Sequence, residues 1–331
     1  MRSKVDAAVY TGREFIAVLH VDDFAAVGTP ATIKKFRTML NVKFLVGKVQ
    51  VGLPLRFLAM DISEDRDGMR VDQAEYVREM ADWAVAVRGR LARAGVDHTE
   101  RLEGKACTMM EQATGMTRYL ATVSRPDMAY AASRMAAGVK GTVRELWWAL
   151  GVMAKLVRQP LTLPIGRQTG PRHVVAYTDA AWANVDGVYS QMGCFIIIEQ
   201  QDGLLVPVLW ESRKMTRIAR SSLAAETQAL VHGVDRVLWI QRLIEEMTGE
   251  ALPVVMRVDC KNLADAVATG KMVQERRLMV DIAAIRADQE AGRISLEWVP
   301  AARQLADELT KTRWPTKLRA MMETGRVPVA G

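Results

Sequence analysis

The sequence predicts an α/β protein, and three observations lead there. From about residue 171 the apolar patterning reads strand, strand, strand, helix, strand, helix, helix, strand, helix, an order that interleaves five strands with helices around one sheet. The first of those strands, VVAYTD, is apolar at Val174, Val175, Ala176 and Tyr177 in succession and stops at Asp179, with Trp182 just beyond; an unbroken run of this length is a strand buried on both faces. Three further acids then recur at the edges of expected elements: Glu226 in SSLAAETQAL, Asp259 in VVMRVDCKN and Asp307 in RQLADELTK.

The bulk numbers bound what such a protein does. With 331 residues, 50% hydrophobic and 25% charged, the chain can bury a large core and holds more than one domain. A net charge of +7 favours polyanionic partners, nucleic acid ahead of anionic lipid. There is no charged-then-apolar leader and no run of eighteen or more apolar residues, so a water-soluble intracellular protein, cytoplasmic or nuclear, is expected. Three widely spaced cysteines, no CxxC pair and four histidines argue against disulfides and zinc. A bound metal is expected to be a hard cation held by oxygens, magnesium or manganese.

In chain order, EFIAVLHVDDFAAVG (14–28) sets Asp22 and Asp23 between two apolar runs and predicts a β-hairpin with the two acids at its tip; an ordinary turn would use the same residues. ATIKKFRTMLNVKF has helical spacing. PLRFLAMDISEDRDGMRVDQAEYVREMADWA reads as strand, Asp-Gly turn, strand and amphipathic helix. In the next block Arg125-Pro126-Asp127 starts a helix, with proline at the first position and an acid after it, and the Met and Trp residues of 104–160 are expected to pack helices. LTLPIGRQTGPRH, with two Pro and two Gly, predicts a linker.

Beyond it, VVAYTD, QMGCFIIIEQ and LLVPVLWES are strands separated by the turns ANVDG and QDG. SSLAAETQALVHGVDRVLWIQRLIEEM is one long helix whose stripe Leu223, Glu226, Leu230, Val237, Ile240, Ile244 puts an acid on an apolar face, where it needs a partner; a first turn projecting past the core would leave it on the surface. PVVMRVD is a strand, NLADAVAT and QERRLMVDIAAIRADQEAG are helices, ISLEWV a strand and RQLADELTK a final helix. Taken singly, Asp179 reads equally as a turn residue, Asp259 as a helix cap and Asp307 as a solvated helix acid. The basic run SRKMTRIARSS, with Arg213, Lys214, Arg217 and Arg220, reads either as a solvated face or as a phosphate-binding surface, and Ser221 or Ser222 caps the helix that follows.

These blocks resemble the polyprotein of copia-type retrotransposons. The likeness begins at His20-Val21-Asp22-Asp23, where the family has Tyr-Val-Asp-Asp. It continues through FLAMDISEDRDGMRVDQAEYVREM and GMTRYLATVSRPDMAYAASRMAAG and ends in TDAAW, SSLAAETQAL, VDCKNLADAV, RRLMVDIAAIR and LEWVPAARQLADELTK. It implies a truncated reverse-transcriptase palm (1–85), a helical thumb or connection (86–165), a ribonuclease H-like domain with a mixed five-stranded sheet (171–315) and a tail (316–331). It further implies a metal-dependent endonuclease that hydrolyses the RNA strand of RNA–DNA hybrids. On that carry-over Asp179, Glu226 and Asp259 form the central cluster, Asp307 completes the second of two Mg2+ or Mn2+ sites, and all four converge within metal-bridging reach.

Arg213, Lys214, Arg217, Arg220, Ser221, Ser222 and, more weakly, Arg276 and Arg277 would meet the hybrid's phosphates. The implied partners are the hybrid and the rest of a polyprotein, with no membrane and no small-molecule cofactor. The family's third polymerase aspartate has no counterpart here, since Asp6 lacks the flanking block, and His20 replaces the tyrosine, so Asp22 and Asp23 are expected to be a vestigial polymerase hairpin. The competing expectation is a folded, basic, non-catalytic nucleic-acid-binding remnant of a retroelement; an unfolded pseudogene product fits the intact patterning less well.

Overall fold

The computed structural model describes residues 1–47, 49–66, 68–167, 170, 172–270, 273 and 275–327. Asp67 of the expected Asp-Gly turn, Gln168, Thr169 and Pro171 of the expected linker, Gln274 at the head of the QERRLMV helix and residues 328–331 of the tail lie outside them.

The N-terminal hairpin forms as expected. β1 (Val9–Gly12), β2 (Phe15–His20) and β3 (Asp23–Gly28) make an antiparallel three-stranded sheet in that order, and Val21, with φ of 52°, turns the chain at the tip. α1 (Pro30–Lys43) follows, with proline in its first turn and Thr29 capping it by accepting from the Thr32 N–H at 3.3 Å. No residue of α1 is buried.

A second antiparallel sheet contains β4 (Leu55–Phe57), β5 (Met60–Asp65), β6 (Gly68–Asp72) and β7 (Leu163–Gly166). β7 corrects the linker expected at 161–173. Four of its residues pair with β6 as an edge strand, Leu163 opposite Val71, and Leu163 is buried. Pro164 is tolerated because an edge strand has one side free of ladder hydrogen bonds. Gly68, at φ of 141°, admits the close approach: a Cβ there would lie 2.5 Å from the Ile165 carbonyl oxygen.

Between these strands lie α2 (Ala74–Ala94), α3 (Gly104–Val123), α4 (Ala129–Ala137) and α5 (Val143–Lys155). Met80, Met110, Leu120, Met135, Leu146, Leu150 and Met153 are fully buried among them, so the methionines do pack helices. Thr142 and Glu145 close a capping box at the head of α5, and Pro126 opens a 3-10 turn that runs into α4.

The C-terminal sheet is built from β8 (Arg172–Val185), β9 (Tyr189–Gln200), β10 (Leu205–Lys214), β11 (Val254–Val258) and β12 (Ser295–Trp298) in the order β10-β9-β8-β11-β12. β8, β9 and β10 pair antiparallel, whereas β11 lies parallel to both β8 and β12. This is the mixed five-stranded α/β arrangement expected, flanked by α6 (Ser222–Thr248), α7 (Lys261–Thr269), α8 (Met279–Glu290) and α9 (Thr316–Thr324). Alternate residues of β8 enter two cores. Val174 and Ala176 pack with α6, α7 and α8, while Val175 and Tyr177 pack with Phe195, Trp210, Leu305 and α9, as the period of two in a strand requires. The second core also takes in Val71 of β6 and Ala129 of α4, so one apolar cluster crosses the position expected to be a linker.

Two corrections fall at the C-terminal end. RQLADELTK is not a helix but two short 3-10 turns, 301–303 and 306–309. Leu305, Ala306 and Leu309 are fully buried on the sheet, and Glu308 turns back to accept the backbone N–H groups of Lys317 (2.9 Å) and Leu318 (2.8 Å). That carboxylate caps α9, which occupies the stretch expected to be a tail. No helix among the described residues is long and apolar enough to cross a membrane, and all three cysteines are free.

Candidate metal centre

Asp179 lies in the middle of β8 rather than at its end, opposite Gly193 of β9, and is buried. The strand runs on because three contacts hold its extension. The Trp182 indole N–H donates to the Ala219 carbonyl (3.0 Å), Asn184 donates to the Thr310 carbonyl (3.1 Å), and the Gln191 N–H donates to Asn184 (3.0 Å). Glu226 sits in the second turn of α6, whose first turn Ser221 caps by accepting from the Ala224 N–H at 3.1 Å. The helix lies close on the sheet at Gly233, where a Cβ would come within 2.3 Å of the Thr178 methyl. Asp259 directly follows β11, and its carbonyl accepts from the Trp298 indole at 3.0 Å; the N-cap of α7 is Cys260, not Asp259.

The three carboxylates converge: one oxygen from each of Asp179, Glu226 and Asp259 lies within 4.8 Å of the others. None of the three makes an ion pair among the described residues. The Thr310 hydroxyl, a neutral donor, hydrogen-bonds Asp179 at 2.5 Å. Burial, then the charges of Asp179 and Asp259, push Glu226 up to about 9. Burial and the charges of Asp259 and Asp307, partly offset by the Thr310 hydrogen bond, raise Asp179 to about 6. Asp259 is raised too, mainly by burial. A cluster of converging acids without a direct ion-pair partner, with only the nearby charge of Lys311 partly offsetting their repulsion, matches the donor set of a hard divalent ion.

That electrostatic arrangement predicts a pH dependence. Without metal, the folded protein holds protons on Asp179 and Glu226 that the unfolded chain would release. The contribution of these two groups to stability is therefore fully present below about pH 4 and is lost as pH rises through about 6 and on to about 9. Melting of the EDTA-treated protein is expected to shift down between pH 5 and 9, and added Mg2+ to restore it most at the alkaline end, where fewer protons compete for the oxygens. A melting temperature that is flat or rising over this range without metal would contradict the assignment.

The fourth acid is placed differently from the expectation. Asp307 is buried but does not join the three-carboxylate group. Its carboxylate pairs with Lys311 and Arg313, and with Lys317 at 3.4 Å. Burial acts to raise its pKa, but the three cations outweigh it and hold the group below the usual carboxylate range. Asp307 is near enough for its charge to act on Asp179 and Asp259.

Of the basic residues, Arg213, Arg217 and Arg220 are exposed on the approach to α6. Lys214 is occupied, 3.2 Å from Asp186 and 4.0 Å over the Tyr189 ring. Ser221 is the cap and Ser222 is exposed; Arg276 and Arg277 are exposed in the 3-10 turn before α8. Asp22 and Asp23 are exposed at the hairpin tip, and among the described residues no third acid joins them in a metal-sized cluster. Gln304, Thr310 and Lys311, which surround the carboxylates, carried no signal as single residues in the sequence; only their place in the RQLADELTK block pointed toward the site.

No family model matches the chain. It is 25% identical over 313 residues to the retrovirus-related Pol polyprotein from transposon RE2 of Arabidopsis thaliana, an alignment covering 91% of this chain and 21% of that protein. The chain thus spans about a fifth of the length of the curated relatives it matches. Among solved structures it is similar to a foamy viral protease-reverse transcriptase in complex with an RNA/DNA hybrid (12% identity, 86% of this chain and 36% of that one, TM-score 0.48). It is also similar to LC11-RNase H1 in complex with an RNA/DNA hybrid (17% identity, 44% and 99%, TM-score 0.33). Retrovirus-related Pol polyproteins of transposons are homologues of this chain, the relation its sequence blocks anticipated.

Proposed function

We propose that this segment of a retroelement Pol polyprotein of the copia type is a metal-dependent endonuclease that hydrolyses the RNA strand of RNA–DNA hybrids. The observation that carries the reading is the convergence of Asp179, Glu226 and Asp259 beside the five-stranded sheet, Asp179 buried and the other two half-buried, with none of the three in an ion pair among the described residues. Asp179 from β8, Glu226 from α6 and Asp259 from the end of β11 would hold Mg2+ or Mn2+. Asp307, once released from its cations, would supply the second ion's ligand.

Two such ions supply an activated water and a sink for charge on the leaving oxygen. The chain's own part is to aim the carboxylates, to leave them out of ion pairs, and to bring the hybrid's backbone to them. Arg213, Arg217 and Arg220, exposed beside the head of α6, are placed for phosphate contact, with Lys214, Ser221, Ser222, Arg276 and Arg277 as further candidates. The exposed Asp22 and Asp23, with no third acid among the described residues in reach, support the reading that this chain alone does not extend primers.

A labelled RNA–DNA hybrid tests the proposal. RNA fragments are expected with Mg2+ and none with EDTA, and the DNA strand should stay intact. The second reading, a binding remnant without catalysis, draws support from the neutralised state of Asp307; it predicts retention of the hybrid with no cleavage under either condition.

A further inference from the structure

We infer that Thr310 is a positioning residue for the metal centre, holding Asp179 in the orientation in which it can ligate; the inference rests on the reading of Asp179, Glu226 and Asp259 as metal ligands. The Thr310 hydroxyl is fully buried and lies 2.5 Å from Asp179 Oδ2 and 3.0 Å from the Asp307 carbonyl oxygen. It has one proton to give, and the shorter, charge-assisted contact to the carboxylate takes it. A carboxylate anchored at one oxygen does not swing about its side chain, so its remaining lone pairs stay aimed before any ion arrives.

The fold fixes Thr310 from several sides. Gly193 is the residue opposite Asp179 across the β8–β9 ladder. A Cβ at Gly193 would stand 2.7 Å from the Ala306 carbonyl oxygen, 2.8 Å from Leu309 Cβ and 3.2 Å from the Thr310 methyl. The missing side chain is therefore what lets the 306–310 segment lie against the sheet beside Asp179. The Thr310 carbonyl accepts from Asn184 at 3.1 Å, and the preceding Leu309 carbonyl accepts from Ser212 at 2.5 Å. Gln304 braces the other end of that segment against the sheet. It is fully buried, its amide donates to the Thr178 carbonyl (3.0 Å), and its oxygen accepts the Ala306 N–H (3.2 Å). The stretch from Gln304 to Thr310 is thus a strap across the sheet whose neutral Thr310 hydroxyl aligns Asp179.

The test is a Mn2+ titration of the full chain without nucleic acid, read by the loss of the free-ion electron paramagnetic resonance signal. Thr310→Val keeps the volume and removes the hydroxyl, and is expected to weaken Mn2+ binding about 10-fold or more, the range for lost outer-shell partners. Thr310→Ser is expected to restore binding to near the wild-type level, which a purely structural loss would not do. Should the valine variant fail to fold, Thr310→Ala compared with Thr310→Ser gives the same reading. Asp179→Asn separates the two levels of inference. If it loses Mn2+ binding while Thr310→Val or Thr310→Ala binds as wild type does, or if serine fails to rescue, the positioning role is overturned and the metal centre stands. If Asp179→Asn itself binds Mn2+ like the wild type, the metal-centre reading falls and the role of Thr310 with it.

Discussion

Asp179→Asn is expected to cut the rate of hybrid cleavage by about 10^3-fold or more and, in the same molecule, to raise the melting temperature of the metal-free protein. The first effect follows from the several kcal/mol of charge stabilisation that divalent ions supply in phosphodiester hydrolysis, at about 1.4 kcal/mol per factor of ten. The second follows from the carboxylates' own repulsion, visible in a Glu226 pushed up to about 9 partly by the charge of Asp179. Asparagine keeps the shape, and its side-chain oxygen can still accept from Thr310. Removing one charge should relieve about 1 kcal/mol, or ~2 °C in a chain of this size. Loss of activity with gain of metal-free stability marks an acid kept for its ligand. A rate within a few-fold of wild type would remove Asp179 from the centre.

Asp127→Ala is expected to be the most damaging single change to stability outside that centre. Asp127 accepts from Arg125 Nε (2.8 Å) and Nη2 (2.7 Å) and from Arg319 of α9 (2.8 Å). The Asp127 side chain is wholly buried, and those of Arg125 and Arg319 are 3% and 11% exposed. Deleting the carboxylate leaves two guanidinium groups buried without an anion, a cost of about 3–5 kcal/mol. The melting temperature should then fall by roughly 6–10 °C. Because Arg319 also donates to the Pro160 carbonyl at 3.1 Å, the loss should loosen α9 from the 3-10 turn that opens α4. Limited proteolysis cutting first near residues 311–316 would report it. A melting temperature within a degree or two of wild type would show that the pair contributes little.

Legibility in the sequence followed physical locality. β8 could be read from Val174 to Tyr177 because a strand covered on both faces must be apolar throughout, and α6 from the 3.6-residue recurrence of Leu230, Val237, Ile240 and Ile244. Glu226 stood out for the same reason, as an acid on a stripe that buries. The segment after β12 could not be read that way. Its 3-10 turns exist because Leu305 and Leu309 find the sheet and Gly193 gives them room, contacts that carry no local period. Leu305 and Leu309, four residues apart, mimic a helix repeat, which is why one was expected.

β7 was hidden by its own composition: a four-residue edge strand containing Pro164 and Gly166 has the residues of a linker. The neutralised state of Asp307 could not be read, since the cations at 311, 313 and 317 reach it only through the folded turn. Thr310 and Gln304 were missed because a threonine and a glutamine become informative only when they are found buried with a carboxylate at hand.

Diffraction from a crystal of the chain grown with Mn2+, recorded where manganese scatters anomalously, tests the shared metal site most directly. An anomalous peak is predicted between Asp179, Glu226 and Asp259, within about 2.0–2.3 Å of an oxygen from each. A well-occupied peak elsewhere with none among these three side chains, or no peak at Mn2+ concentrations that support cleavage, would contradict it.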